Sequence, residues 1–450
     1  MPVSPARAAA CDILLRVERE SSYASELLHS AAYQSLSTAD HALATELVMG
    51  VLRWRSRLDE ELSSASSQPL PKLDLEILIA LRLALYQFRW LDRVPARAAL
   101  HESVELVKRA RKRSAAPFVN AVLRKLSASP RDRRTSEDEN SSADALVRAF
   151  AHPLWLVERW VKEYGLSTAQ AICRHDQSIP ATTIRLRDPK AEHQLSQENI
   201  SLLPGGILAS ARRVQAGDIT RTKAFRSGQV AIQDEASQLV AALIGSTQKQ
   251  NLRVLDCCAA PGGKTLAIAD RNPNSSVTAV ELYPHRARLL QKLLRLRESA
   301  AHIHVVVADA RQLPVSHAFD RILADVPCSG TGTIARNPEI KWRLRSEDFA
   351  DLHQRQVTIL RAALDHLAPS GRLVYSTCSL EREENEEVVE KNLAEANVRL
   401  VDCRAELDSL KAAGELTWPD PVSLTDGPYL RTIPGIHPCD GFFAAVLEKS

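Results

Sequence analysis

The sequence predicts an α/β protein: a doubly wound, mostly parallel, Rossmann-like sheet preceded by an all-α domain and a small α/β extension. Three observations carry this. Beyond residue 228, short apolar runs ending in acids alternate with amphipathic helical stretches, the pattern of parallel strands joined by crossover helices. Before residue 128, glycine is almost absent and apolar residues recur at helical spacing. The chain's 450 residues, 45% hydrophobic and 25% charged, suffice to bury more than one core. The expected division is an all-α domain over 1–128, a flexible linker over 129–143, the small α/β extension over 144–228 and the main α/β domain over 229–450.

A net charge of +3 leaves any attraction to nucleic acid to local clusters of Lys and Arg. The cysteines, at 11, 173, 257, 258, 328, 378, 403 and 439, lack Cys-x-x-Cys spacing, so neither a zinc ribbon nor a thioredoxin-like site is expected. Arg7, Asp12 and Arg16 interrupt the first apolar stretch, and no apolar run approaches membrane-spanning length. The expectation is a reduced, cytoplasmic monomer that uses neither metal nor membrane.

In the first domain, Ala8, Cys11, Ile13, Leu14 and Val17, then Ala42, Leu47, Val48, Val51 and Leu52, keep helical spacing. The stretch 73–90 is dense in Leu and Ile. In 98–126, Lys108, Arg109, Arg111, Lys112, Arg113, Arg124 and Lys125 accumulate with no acid after Glu105. This basic face suits RNA phosphates, or is a solvated helix face balanced elsewhere. The polar run SASPRDRRTSEDENSSA that follows has no apolar period and reads as a linker. Helical character resumes at Leu146 with His152-Pro-Leu-Trp-Leu-Val-Glu-Arg-Trp160 and a second helix, then a strand at 182–187, with Gly205, Gly206, Gly217 and Gly228 punctuating a short α/β segment.

The main domain reads as helix 233–244, strand 253–256, helix 265–270, strand 277–281, helix 286–297, strands 303–308 and 321–325, helix 346–367, strand 372–376 and helix 383–396. Ligands in doubly wound sheets bind beyond the carboxyl ends of the strands, and there Asp256, Glu281, Asp309, Asp325 and Cys378 fall on one rim. The turn Cys258-Ala259-Ala260-Pro261-Gly262-Gly263-Lys264-Thr265 opens a helix with bare N–H groups. It is not a phosphate loop: the required first glycine is Cys258, and Pro261 interrupts the cradle. No Gly-x-Gly-x-x-Gly is present either. What remains is an acid-flanked crevice for a ligand with a ribose and a positive centre. Glu281 is placed for two ribose hydroxyls and Asp309 for an adenine amino group, and S-adenosyl-L-methionine fits.

A second constellation is Asp325-Val-Pro-Cys-Ser-Gly-Thr-Gly332 with Tyr375-Ser-Thr-Cys-Ser379. Lone cysteines are usually inert core residues, but Cys328 and Cys378 lie past strand ends, with Lys341, Arg343 and helix N-termini expected nearby to favour thiolate. Arg336, Lys341, Arg343 and Arg345 are also placed to hold phosphates beside the target, or to form a solvated basic loop.

Two resemblances follow from these residues. Ala6-Arg-Ala-Ala-Ala-Cys-Asp-Ile-Leu-Leu-Arg-Val17, Glu46-Leu-Val-Met-Gly-Val-Leu-Arg-Trp54 and Phe118-Val-Asn-Ala-Val-Leu-Arg-Lys125 resemble the NusB family of helical RNA-binding antitermination factors. Asp256-Cys-Cys-Ala-Ala-Pro-Gly-Gly-Lys-Thr265, Asp325-Val-Pro-Cys-Ser-Gly-Thr-Gly332, Tyr375-Ser-Thr-Cys-Ser-Leu380 and Asp440-Gly-Phe-Phe-Ala-Ala445 match, in order, the motifs of the RNA 5-methylcytosine methyltransferases. With the NusB-like front end the chain is similar throughout to the bacterial 16S ribosomal-RNA cytosine-C5 methyltransferases of the Sun/Fmu type. Glu281 stands where many members have Asp, and Val326 where a small residue is commoner.

The resemblance implies methyl transfer from S-adenosylmethionine to cytosine C5 in 16S ribosomal RNA. It implies Cys378 as the nucleophile that adds to C6, Cys328 as the residue that assists product release, and Asp325 at the N3 side of the base. Composition and spacing alone do not separate attacker from releaser. Transfer RNA as substrate, or a non-catalytic RNA-binding assembly factor, remain the alternative readings.

Overall fold

The computed structural model describes residues 3–20, 22–128, 142–246, 251–295 and 302–449. The chain forms two compact units, Met1–Ile179 with Ile334–Leu344, and Pro180–Thr333 with Arg345–Ser450.

The first unit is helical. Helices Pro5–Glu20, Thr38–Arg53, Arg55–Ala65, Ala96–Arg109 and Ala116–Ala128 pack around Leu75–Trp90. This central helix buries Ile77, Ile79, Leu81, Leu83, Leu85 and Phe88 around its circumference, which is why its sequence is dense in Leu and Ile rather than amphipathic. The surrounding helices show single stripes, such as Ala99, Ser103, Leu106 and Val107 on Ala96–Arg109. Two buried cations are compensated: Arg82 forks onto Asp59 at 2.7 Å, and Arg7 reaches Glu102 at 2.9 Å and Gln87 at 2.7 Å.

Two expected boundaries change. The linker expectation lies outside the described residues over 129–141, and Ser142 already caps helix Ala143–Phe150, its hydroxyl accepting from Ala145 N–H at 3.2 Å. The expected extension over 144–228 is divided. Helices Ala143–Phe150 and Leu154–Asp176 belong to the helical unit, where Gln177 Nε2 donates to Arg53 O at 3.1 Å. Leu154–Asp176 breaks at Gly165 with φ +80°, a conformation glycine tolerates, so the two helices expected from the sequence run end to end.

The second unit carries two sheets. Strands β1 (Thr183–Leu186), β2 (Ser201–Pro204), β3 (Ala211–Ala216) and β4 (Val230–Ile232) form an antiparallel sheet in the order β2-β3-β1-β4. Strands β5 (Leu252–Asp256), β6 (Ser275–Glu281), β7 (Ile303–Val307), β8 (Phe319–Asp325) and β9 (Leu367–Thr377) pair in parallel in the order β7-β6-β5-β8-β9. This parallel core is completed into a mixed sheet. The C-terminal strands β10 (Val398–Val401), β11 (Thr425–Asp426), β12 (Tyr429–Thr432) and β13 (Phe442–Lys449) extend it antiparallel, with β13 on β9 in the register Phe443↔Thr377.

Period-two alternation buries both faces of this sheet. Val254, Leu323, Val374 and Ala444 pack with Leu239, Ile268 and Leu407 from helices on one side. Leu255, Ile322, Tyr375 and Phe443 pack with Val357, Leu360 and Val389 from helices on the other. That is the doubly wound arrangement, and it places the carboxyl ends of β5, β6, β8 and β9 along one edge.

Candidate active site

The site starts at the end of β5. Asp256 is 1% exposed and accepts from Thr265 Oγ1 at 2.7 Å, so the strand end and the first turn of helix Gly263–Arg271 are tied across the glycine turn. Burial pushes its carboxyl up to about 7, with the Asp325 charge adding to this and the Thr265 hydrogen bond opposing it. Ala259 N–H donates to Val280 O at 2.8 Å, the Ala260–Pro261 peptide is cis, and Gly262 sits at φ +112°. A Cβ on Gly262 would meet Leu290 Cδ1 at 2.4 Å, so conformation and packing both require glycine. Cys258 lines the turn with its thiol pushed well above its ordinary value by burial, which leaves it unreactive.

Along the rim, Glu281 closes β6, is 5% exposed and accepts from Tyr283 N–H at 2.9 Å. Asp309, beyond β7, is engaged by Arg311, whose Nε donates at 3.0 Å and which holds its carboxyl below the ordinary range. Asp325 ends β8, one strand from Asp256. Lys264 Nζ donates to its Oδ2 at 2.8 Å and Ser376 Oγ to its Oδ1 at 2.8 Å. Burial pulls the Lys264 ammonium down, but attraction and the hydrogen bond to Asp325 outweigh it and leave it raised, hence charged. The ammonium also lies 4.8 Å from the centre of the Phe442 ring.

The two cysteines meet. Cys328 follows β8, Cys378 follows β9, and their Sγ atoms lie 3.4 Å apart with no bond between them. The hydrogen bond with Cys378 and burial push the Cys328 thiol well above its ordinary value. Cys378 is among the groups whose charge raises the Lys264 ammonium, after Asp325.

This corrects one expectation. Lys341 is 1% exposed within the helical unit, where its Nζ donates to Arg53 O at 3.0 Å and Ala151 O at 2.9 Å, and burial pushes it down to about 7. A side chain spent on two buried carbonyls neither holds RNA phosphate nor activates a thiol. Arg343 belongs to the same unit, stacked 4.3 Å from the Tyr23 ring centre and 3.6 Å from Glu339, and Arg336 is half-buried there. Lys108, Arg109, Arg111, Lys112 and Arg113 do gather at the end of helix Ala96–Arg109 and the turn after it. Lys108 pairs with Glu105 at 2.7 Å and Lys112 with Asp74 at 2.9 Å, while Arg109, Arg111 and Arg113 are exposed.

Sequence reasoning missed the support beneath the cysteines. Glu384 is 0% exposed and accepts from Ser329 N–H at 2.8 Å, from Gln356 Nε2 at 2.9 Å, and from the hydroxyls of Ser329 and Ser379. In sequence it sits in Glu381-Arg-Glu-Glu-Asn-Glu-Glu387, which looks like a solvated helix start. The available signal was its place just after the Cys378 motif. Gly332 is the other missed element: its N–H donates to Cys378 O at 2.9 Å, and a Cβ there would meet Gly441 O at 2.2 Å.

Among the described residues no helix is long and apolar enough to cross a membrane, and no group of three or more His, Cys, Asp or Glu is arranged to hold a metal ion.

Comparison with known proteins gives the arrangement a family. Residues 243–448 match "16S rRNA methyltransferase RsmB/F", and residues 4–128 match the NusB family. The chain is 35% identical to the Bacillus subtilis "Probable ribosomal RNA small subunit methyltransferase B", over 100% of both chains. It is 34% identical to ribosomal RNA small subunit methyltransferase B of Vibrio cholerae, over 93% of this chain and 92% of that one. In fold it is similar to the crystal structure of PH0851, with a TM-score of 0.80, 22% identity and 100% of both chains covered. A methyltransferase homologue from Pyrococcus horikoshii gives a TM-score of 0.56 at 24% identity, over 68% of this chain and 98% of that one. Likeness to named methyltransferases over its whole length makes this chain an enzyme of that class, and it belongs to the 16S rRNA methyltransferase RsmB/F family.

Proposed function

We propose that the protein transfers a methyl group from S-adenosylmethionine to C5 of a cytosine in small-subunit 16S ribosomal RNA, through a covalent bond between Cys378 and C6. The observation that carries this is the pair of thiols 3.4 Å apart just beyond the ends of adjacent strands, one of which, β8, ends on the Asp325 that Lys264 of the glycine turn holds. The relatives' names support the substrate.

The residues present fit the methyl donor. The turn Cys258, Ala259, Ala260, Pro261, Gly262, Gly263 and Lys264 leaves the N–H groups of a helix start unfilled beside two buried carboxylates, Asp256 and Glu281. Glu281 would hold the ribose hydroxyls, and Asp309 the adenine edge. Bound S-adenosylmethionine supplies an electrophilic methyl group. Cytosine C5 is a poor nucleophile, so the chain's own task is to enrich it. Cys378 adds to C6 as thiolate and pushes electron density to C5. Asp325, fixed by Lys264 and Ser376, holds the N3 side of the ring and favours addition. Cys328 then assists removal of the C5 proton, elimination re-forms the Cys378 thiolate, and the RNA leaves. The cytosine must leave its stack to be reached from both faces. Phosphate contacts fall to the exposed Arg109, Arg111 and Arg113, with Lys108 and Lys112 beside them; Arg336 and Arg343 remain secondary candidates.

Bisulfite sequencing of ribosomal and transfer RNA from a deletion strain tests the substrate. Loss of 5-methylcytosine at a small-subunit position is expected. Loss in transfer RNA instead would move the reading to that substrate, and an unchanged pattern in both would sink it.

A further inference from the structure

Both cysteine turns end on the same buried carboxylate. Ser329, next to Cys328, donates its N–H and its hydroxyl to Glu384, and Ser379, next to Cys378, donates its hydroxyl. The two hydroxyls lie 3.1 Å from each other. Gln356, from helix Asp348–Asp365, donates to Glu384 Oε1 and also to Pro327 O at 3.0 Å, on the other side of Cys328. Four donors thus fill the lone-pair sites of one carboxylate. A carboxylate taken fully out of water is costly unless it is satisfied in this way, so removing any of the four donors is opposed strongly. Thr377 and Asn385 brace the same turn: Thr377 Oγ1 donates to Asn385 Oδ1, and Asn385 Nδ2 donates to Ser379 O at 3.0 Å.

We propose that Glu384 is a positioning residue: its carboxylate clamps the two cysteine turns together and so sets the separation of the Cys328 and Cys378 sulfur atoms for a reaction that needs both. It touches neither RNA nor the methyl donor and acts through Ser329 and Ser379. This rests on the two-thiol reaction proposed above. Glu384→Gln keeps the side-chain volume and the acceptor for Ser329 N–H and Gln356. It presents an NH2 to two hydroxyls that must turn round to accept, so the fold persists while the clamp loosens.

The test uses the full-length protein and two independent readouts. The first needs no RNA: diamide oxidises two neighbouring thiols to a disulfide while itself becoming the hydrazine, and mass spectrometry follows closure of Cys328 to Cys378. Glu384→Gln is expected to slow closure about tenfold, as misplacement of reacting atoms by a fraction of an ångström does. The second is methylation of 16S ribosomal RNA. The same variant is expected to lose about tenfold or more in kcat, with KM for RNA and affinity for S-adenosylhomocysteine within about twofold of the parent, and to accumulate denaturant-resistant enzyme–RNA adduct. Parent-like closure and kcat would overturn the proposal. So would a loss of kcat that only tracks a lower Tm without adduct, because that is a structural role. Methylation surviving in Cys378→Ala would instead remove the reaction scheme, while the closure rate still decides the clamp.

Discussion

Burial holds the Asp256 carboxyl at about 7, against 3.8 for an ordinary aspartate, because the strand end is dry and Asp325 lies one strand away. A carboxyl raised in the folded state keeps a proton that the unfolded chain has released. Its contribution to stability is therefore complete below about pH 4 and is lost as pH rises through about 7. Asp256→Asn keeps an acceptor for Thr265 and does not titrate. Urea unfolding of parent and variant should show the parent losing ground between those pH values, and parallel profiles would contradict the shift. Gly262 answers for shape rather than charge. At φ +112°, with Leu290 Cδ1 2.4 Å from any Cβ, Gly262→Ala must strain the turn by about 1–3 kcal/mol. Calorimetry with S-adenosylhomocysteine should find affinity about tenfold or more weaker, while unchanged affinity would remove the turn from the donor site. Both residues were legible in the sequence, because an acid and a glycine turn after an apolar run have few other uses. Glu384 was not, because nothing local marks which acids of Glu381–Glu387 are buried, as Glu381, Glu384 and Glu386 are, and which are not; only the turns it gathers do.

At the scale of elements, the parallel strands β5, β6, β8 and β9 were readable because each is an apolar run, largely buried on both faces, that stops at a polar residue, whereas β7 at the end of the parallel order is partly exposed. The antiparallel half of the sheet was less so. Strand β13 pairs with β9, which lies far back in sequence, and that register is set by tertiary packing rather than by a turn signal. The motif Asp440-Gly-Phe-Phe-Ala-Ala445 turns out to be structural: Gly441 N–H donates to Gly332 O at 2.8 Å, so β13 starts by bracing the loop after Cys328. The backbones there leave no room for a methyl group. Gly332→Ala, whose Cβ would fall 2.2 Å from Gly441 O, should destabilise the protein by about 1–3 kcal/mol and depress methylation with it. Denaturant titration beside an activity assay checks this; a variant with parent stability would show that the close approach is not needed.

For the whole molecule, composition allowed more than one core, and the chain divides into two units that do not follow the order of its motifs. Having supplied Cys328, it leaves the catalytic unit at Thr333, contributes residues 334–344 to the helical unit and returns at Arg345. A lysine in that segment looks like a phosphate ligand on paper. Lys341 is instead the buried tie of the segment to Arg53 and Ala151, and no pattern of charges in sequence separates these two uses. The exposed arginines of the helical unit are where phosphate binding is expected. Replacing Arg109, Arg111 and Arg113 by Glu should weaken RNA binding and lower the salt slope of log K by about one per lost contact, with kcat at saturating RNA retained. An unchanged slope would show that the cluster is only a solvated helix end. The central claim is the covalent division of labour between two cysteines, and denaturing electrophoresis tests it most directly. Full-length Cys328→Ala and Cys378→Ala are each incubated with 16S ribosomal RNA and S-adenosylmethionine. The account predicts a denaturant-resistant enzyme–RNA band with Cys328→Ala and none with Cys378→Ala; a band with Cys378→Ala would contradict it.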